Sequence, residues 1–282
     1  GNLSSAVGPF AVDEGLLKVS GSETLVRIHN TNTQRVVHAR FPLNNGVAEI
    51  DGDFELPGVA GTGARIDLEF LSPGGATTGE LLPGDGTTDT IRDPGDGAEY
   101  HVSLVDASNG TVFVSAQALG LIGTEAPDII EQDVQLMAKL DRLRRAGGVK
   151  MGVADTPDGV PLANPKIAMV AKPATYTTLE GATIEAAAYD IAVRILSMER
   201  AHRATPLTSG MCVAAASLIP GTLAHDCAVD SLLNDTQVRV GHPSGMLVVG
   251  AEVIVGNRPS VAKTMVYRTA RRLMEGSVLV PK

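Results

Sequence analysis

Apolar positions recur at helical spacing in two long stretches of the chain and alternate with polar ones over much of the rest. From Gly1 to Leu17, the residues Leu3, Val7, Phe10, Ala11, Leu16 and Leu17 step by three and four, which predicts a helix with one buried face. Pro9 inside it invites a kink or an early end, and Gly15 reads as its stop. Asp128–Arg145 is the clearest amphipathic helix, with Ile129, Val134, Met137, Leu140 and Leu143 set among charges. Leu207–Leu218 reads as a helix of small residues stopped by Pro220-Gly221. Strand-like runs fall at Thr24–His29, Val36–Phe41, Val47–Ile50, Ala64–Phe70, Val102–Val105 and Thr111–Ser115, with turn signals between them. Further runs follow at Lys166–Ala171, Val238–Val240, Met246–Val255, Val261–Tyr267 and Ser277–Val280, and the Ile/Val content of Asp190–Met198 favours a strand there. Ser72–Gly97, rich in Gly, Pro, Thr and Asp, reads as a long loop. The pattern predicts an α+β fold of two pseudo-repeated halves, each with a small-residue central helix that strands can approach closely.

Composition narrows the function. The chain has 282 residues, 44% of them hydrophobic and 20% charged, enough for a sizeable core and unlike a disordered chain. Its net charge of −9 and 3% aromatic content argue against a nucleic-acid partner, which needs clustered cations and stacking rings. No apolar run approaches the roughly 18 residues that a membrane-spanning helix needs. Two cysteines, Cys212 and Cys227, are too few for a disulfide framework or a four-cysteine zinc site, and the histidines do not cluster with carboxylates at metal-ligand spacing. No secretory leader pattern is visible, so the expected setting is a reducing cytoplasm.

Four motifs together carry a family resemblance: Gly1-Asn2-Leu3-Ser4-Ser5-Ala6-Val7-Gly8-Pro9-Phe10-Ala11; Ile219-Pro220-Gly221; Gly241-His242-Pro243-Ser244-Gly245; and Arg268-Thr269-Ala270-Arg271-Arg272-Leu273-Met274-Glu275-Gly276. They span the chain, and the sequence resembles the family of 2-methylaconitate cis-trans isomerases, which shares its fold with diaminopimelate epimerase. The resemblance implies residues 1–97 as the remainder of a first domain, 98–256 as a second, and 257–282 as a return to the first. It implies an isomerase independent of pyridoxal phosphate, metals and other cofactors, acting on a small unsaturated polycarboxylate held between two central helices; a homodimer is compatible with it. In the family, Gly-Asn directly follows a catalytic cysteine, with a catalytic lysine further upstream. The expectation is therefore that this chain, which opens at Gly1, is the later part of a longer enzyme, needs that earlier segment, and holds no catalytic residue of its own.

The same resemblance suggests the binding residues. A helix start exposes free N–H groups and partial positive charge, which suits a carboxylate and lowers the pKa of a thiol placed there. Gly1 and Asn2 would serve the first helix, although Asn2 is also a plain helix cap. Thr208, Ser209 and Gly210 would serve the second as backbone and hydroxyl donors. Diaminopimelate epimerase carries its second cysteine near Leu207 or Thr208, and neither is a cysteine here, which argues against a two-thiol amino-acid racemase. Cys212 falls a turn further in and reads as buried. His242 and Ser244 lie in a tight Gly-flanked turn, where His242 either meets a carboxylate or satisfies the turn. Arg271 matches a family position, as a substrate contact or a structural ion pair. Arg200 and Arg203 lie in a charge run that could meet a polyanion or simply be solvated. Aconitate or 3-methylitaconate isomerisation, 4-oxalomesaconate tautomerisation, amino-acid racemisation and a non-catalytic carboxylate-binding accessory role are the alternatives.

Overall fold

The structure is a computed structural model that describes residues 3–31, 34–56, 59–229 and 236–280. One mixed sheet of thirteen strands dominates it. Its longer strands are β1 (Glu23–Asn30), β2 (Arg35–Asn44), β3 (Ile66–Leu71), β4 (Asp89–Arg92), β5 (Glu99–Asp106), β6 (Gly110–Ser115), β7 (Lys166–Ala171), β8 (Ile191–Ser197), β9 (Gln237–His242), β10 (Gly245–Ile254) and β11 (Ser260–Arg268). They lie in the order β1-β2-β3-β11-β10-β9-β8-β7-β6-β5-β4. The β6–β7 and β8–β9 pairs are parallel and the others antiparallel. The last strand thus enters mid-sheet, with Arg268 opposite Ile66 of β3 and Val266 opposite Val249 of β10.

The first helix, α1 (Ser4–Asp13), stops earlier than Leu17. Gly15, at φ +66°, donates to Val12 O and Leu16 donates to Ala11 O, the paired bonds of a Schellman stop. Pro9 is accommodated inside the helix and buried. The predicted helix over Asp128–Arg145 is two helices, α2 (Pro127–Gln132) and α3 (Val134–Lys150). Asp133 breaks them apart with ψ near 87° and accepts a bond from Leu136 N at 2.9 Å, a side-chain cap that restarts the helix. The break shifts the phase, so Ile130 and Leu136 are buried while Ile129 and Val134 face out. The predicted loop over Ser72–Gly97 holds β4, whose Asp89 and Ile91 alternate inward against β5. Ser277–Val280 is exposed and forms no strand, because no ladder partner lies beside it among the described residues.

The central helix of the second half, α4 (Leu207–Ser217), has every residue from Ser209 to Ser217 buried. Its Gly, Ala, Ser and Cys side chains let it settle deep against the strands. A Cβ at Gly210 would stand 2.7 Å from Leu247 Cδ2 and 3.6 Å from Val249 Cγ2, so β10 presses on its first turn. A short helix, α5 (Leu223–Cys227), continues from it and starts on the Thr222 hydroxyl, which accepts from His225 N. α1 lies on the same sheet, close enough that a Cβ at Gly8 would strike the Phe41 ring. Ala39 and Phe41 of β2 face α1, and Val37, two residues earlier on the same face, lies beside Thr208 and Met211 of α4. One core cluster therefore joins both helices, running from Val12 and Phe41 to Met211 and Ala215.

Candidate functional site

The N-terminus of α4 is the chemically distinctive point of this core. Pro206 stands at its cap position, has no N–H, and offers no side-chain bond. Gly210 N–H is already committed to Pro206 O at 2.8 Å, so it is not the free donor expected of it. The first-turn N–H groups of Leu207, Thr208 and Ser209 are the ones a helix start leaves unsatisfied. Ser209 is fully buried and its hydroxyl has no hydrogen-bond partner among the described residues.

Thr208 opens into a cleft of about 120 Å³ formed with Asn30, Arg35, Phe70, Ser108 and Met211. Arg35 begins β2 and is tethered through its guanidinium to Gly74 O at 3.3 Å, leaving it able to meet an anion. Ser108 sits in the β5–β6 turn at φ +70°, an unusual backbone for a residue with a side chain, and is anchored by Pro73 O at 2.8 Å. A hydroxyl, a guanidinium and the positive end of a helix thus converge on one small space. That combination receives a carboxylate. Arg35 and Ser108 escaped the sequence reading, because one opens a strand and the other sits in an ordinary turn signal, and spacing in the chain does not bring them to Thr208.

A larger hollow of about 450 Å³ lies between α2, α3 and the β8 end. Glu131, Asp141 and Glu199 are on its walls with Arg144 and Arg200, and those arginines are already paired with Asp141 and Glu131, which makes it a poor receptor for a polyanion. Arg200 pairs with Glu131 at 3.6 Å and Arg203 with Asp128 at 3.1 Å, so that charge run is tied into surface ion pairs.

The remaining expected residues fall in three places. Gly1 and Asn2 lie outside the described residues. His242 and Ser244 occupy the β9–β10 turn. Ser244 donates from its hydroxyl to Arg203 O at 2.6 Å, which ties this turn to the segment leading into α4. His242 is buried, and its Nδ1 accepts from Ser244 N at 3.2 Å. Burial, aided by the nearby Arg194 charge, pushes its pKa down to about 4, so the ring is neutral at pH 7. It shapes the turn and supplies no positive charge. Tyr176 closes the turn from below, its hydroxyl donating toward His242 O at 3.0 Å and Gly245 O at 2.5 Å. Arg271 lies away from α4, exposed, in a groove with Ala6, Pro9, Phe10 and Asp13 of α1.

Cys212 is fully buried, its thiol 3.5 Å from Val105 O, and burial pushes its pKa up to about 12. It stays protonated and inert, as its place a turn inside the helix suggested. Among the described residues no group of three or more His, Cys, Asp or Glu could hold a metal ion, and no helix is long and apolar enough to cross a membrane.

Comparison with known proteins gives the family. The chain is 37% identical to 3-methylitaconate isomerase of Eubacterium barkeri, over 100% of its own length and 74% of that protein's. It is 36% identical to 2-methyl-aconitate isomerase of Shewanella oneidensis (100% and 73%) and 32% identical to (4E)-oxalomesaconate Delta-isomerase of a Novosphingobium strain (99% and 72%). The crystal structure of methylitaconate-delta-isomerase superposes with a TM-score of 0.88 at 36% identity, covering 98% of this chain and 71% of that one. The α+β, diaminopimelate-epimerase-like fold expected from the resemblance is the fold observed. The family described as PrpF protein matches residues 1–281, and this chain belongs to that family.

Proposed function

We propose that this chain is the carboxylate-holding part of a cofactor-independent isomerase that moves a proton on an unsaturated tricarboxylate, with 2-methylaconitate cis-trans isomerisation the first candidate. The observation that carries the reading is the uncapped start of α4, where Thr208 and Arg35 face one cleft. Removal of a proton from the carbon next to a carboxylate-bearing double bond spreads negative charge over that carboxylate. Fixed N–H donors and a guanidinium stabilise the charge as it grows, and they need no reorganisation when it does. Reprotonation after rotation, or at the far carbon of the allylic system, gives the cis-trans isomer or the shifted double bond.

Cys212 is buried and protonated, and neither Leu207 nor Thr208, near which diaminopimelate epimerase carries its second cysteine, is a thiol. The residues around the start of α4 serve binding, orientation and charge stabilisation. Methylitaconate-type and oxalomesaconate-type double-bond shifts use the same stabilised anion and are the second choices.

The test is proton NMR in D₂O with the full-length protein that contains this sequence, offered 2-methylaconitate, aconitate and 3-methylitaconate in turn. Deuterium at the allylic carbon, together with the new isomer, is the expected result. If all three substrates keep their protons at saturating concentration, the isomerase reading is wrong.

A further inference from the structure

The large sheet opens at one point. β10 and β11 pair from Ile254 and Ser260 as far as Val249 and Val266, and their pairing ends there. Beyond it β11 keeps its partner on one side, with Tyr267 opposite Asp67 and Arg268 opposite Ile66 of β3. β10 keeps its partner on the other side, with Val248 opposite Arg239 and Leu247 opposite Val240 of β9. The two strands part like the arms of a fork. A hollow of about 300 Å³ lies at the fork, with residues 246–248 on one arm, Tyr267 and Arg268 on the other, and Phe54, from a short hairpin closed by its pairing with Gly63, on the wall. It shares no lining residue with the cleft at the start of α4.

Arg268 is the unmatched charge of this hollow. It is half-buried, and its one bond runs from Nη1 to the carbonyl of the adjacent Tyr267, at 2.8 Å. No carboxylate among the described residues pairs with it, and burial without a counter-charge pushes its pKa down. Arg65, the other arginine of the hollow, is committed: it pairs with Asp67 at 2.7 Å and its guanidinium lies over the Tyr267 ring at 5.0 Å. A desolvated cation without an anion is costly, and a bound anion relieves the cost. A guanidinium takes a carboxylate through two parallel N–H bonds in one plane.

The rest of the hollow is largely apolar and carries two rings. Phe54 stands edge-on to Tyr267 with centroids 6.4 Å apart, and the Tyr267 hydroxyl accepts from Gln237 Nε2 at 3.1 Å, which fixes the phenol. Leu247 and Val248 add aliphatic surface. Rings prefer offset or edge-on contacts of this kind, and a third flat ring fits beside them. A molecule with several carboxylates gains little here, because it meets one unpaired cation and the exposed carboxylate of Glu55 on the wall repels its further charges. The chemistry selects a single carboxylate on a flat apolar body.

We propose that the fork between β10 and β11 is a second ligand site, separate from the α4 cleft, that binds an aromatic monocarboxylate with its carboxylate on Arg268 and its ring against Phe54 and Tyr267. Calorimetric titration of the full-length protein that contains this sequence tests it, with benzoate as the probe and acetate as its ringless counterpart. Benzoate should bind the wild type, and acetate should bind at least about tenfold more weakly for want of the buried ring. R268M should weaken benzoate about tenfold or more, the loss expected for a charge-assisted pair, and R268K should recover part of it. F54A should weaken benzoate a few-fold, and R35M should bind it as the wild type does. No benzoate binding by the wild type, unchanged affinity in R268M or F54A, or acetate binding as tightly as benzoate overturns the proposal. So does a loss in R35M, which would put the ligand in the α4 cleft. A loss in R268M that R268K does not relieve and that tracks a lowered melting temperature marks a structural role for Arg268 and overturns it as well.

Discussion

Replacing Tyr176 with Phe removes one oxygen and leaves the ring packing intact. That oxygen shares its proton between His242 O and Gly245 O, at 3.0 and 2.5 Å, both on buried residues of the β9–β10 turn. The ring itself is held edge-on by Tyr189 at 5.6 Å and by the Arg194 guanidinium at 5.4 Å, so the side chain has no reason to relocate. The variant removes the one side-chain donor that serves both buried carbonyls. A net hydrogen bond contributes about 1 kcal/mol, and unsatisfied buried acceptors raise the loss to about 1–2 kcal/mol. For a chain of this size that is a fall in melting temperature of about 2–6 °C, read by circular dichroism. Burial raises the Tyr176 pKa to about 12, so the hydroxyl keeps its proton and the difference should be the same at pH 6 and pH 9. The turn also carries Ser244, whose hydroxyl holds Arg203 O ahead of α4, so KM for the carboxylate substrate should rise a few-fold. A melting temperature within about 1 °C of wild type would show that the turn does not depend on Tyr176 and would refute the argument.

Other outcomes follow from the same geometry. R35M and T208A should each raise KM for 2-methylaconitate, R35M by about tenfold because it removes a charged donor, with melting temperatures unchanged; steady-state kinetics and a thermal melt check both. G210A places a Cβ against Leu247 Cδ2 and Thr205 Cγ2 and should cost about 1–3 kcal/mol, part of it regained in the G210A/L247A double variant, by denaturant titration. His242 has its pKa lowered from 6.5 to about 4, so the unfolded chain binds the proton first as pH falls. Its contribution is complete above pH 6.5 and should shrink by about 3 kcal/mol as pH falls to 4; H242N, which keeps an acceptor for Ser244 N, should flatten that acid limb. Cys212 should resist iodoacetamide at pH 8 in the native protein and react in urea, by peptide mass mapping, since its thiol is buried and protonated.

The sequence is a good guide to this fold wherever local pattern and tertiary burial agree. Strands such as Lys166–Ala171 and Val261–Tyr267 sit in the sheet close to where their short apolar runs put them. Disagreement arises where one polar side chain outweighs periodicity. The carboxylate of Asp133 caps a new helix and turns one apolar stripe into two out-of-phase ones. The strand over Asp89–Arg92 is hidden in a Gly/Pro/Asp-rich stretch, because it is held by pairing with β5 rather than by its own propensity. Ser277–Val280 has strand composition and no neighbour to pair with, and composition alone does not make a strand.

The site divides along the same line. Thr208, Ser209, His242 and Ser244 stand in short motifs whose residues are close in the chain, so a resemblance can point to them. Arg35 and Ser108 reach the start of α4 only because β2 and the β5–β6 turn are brought to one face of a sheet whose order no local pattern encodes. This separation also explains how a chain of net charge −9 can hold a polyanion. Acidic residues near the larger hollow are matched by Arg144, Arg145 and Arg200. Arg35 at the helix start has no carboxylate partner among the described residues and is half-buried. At separations of a few ångströms in such a setting, one unpaired guanidinium and a row of oriented N–H groups outweigh several screened surface charges at a Debye length or more. Substrate capture should therefore lose little between 50 and 300 mM salt, while neutralising Arg35 alone should cost more than neutralising any exposed surface pair. A steep fall of affinity with salt in the wild type would mean that the whole-protein field governs binding, and the site argued from Thr208 and Arg35 would be misplaced.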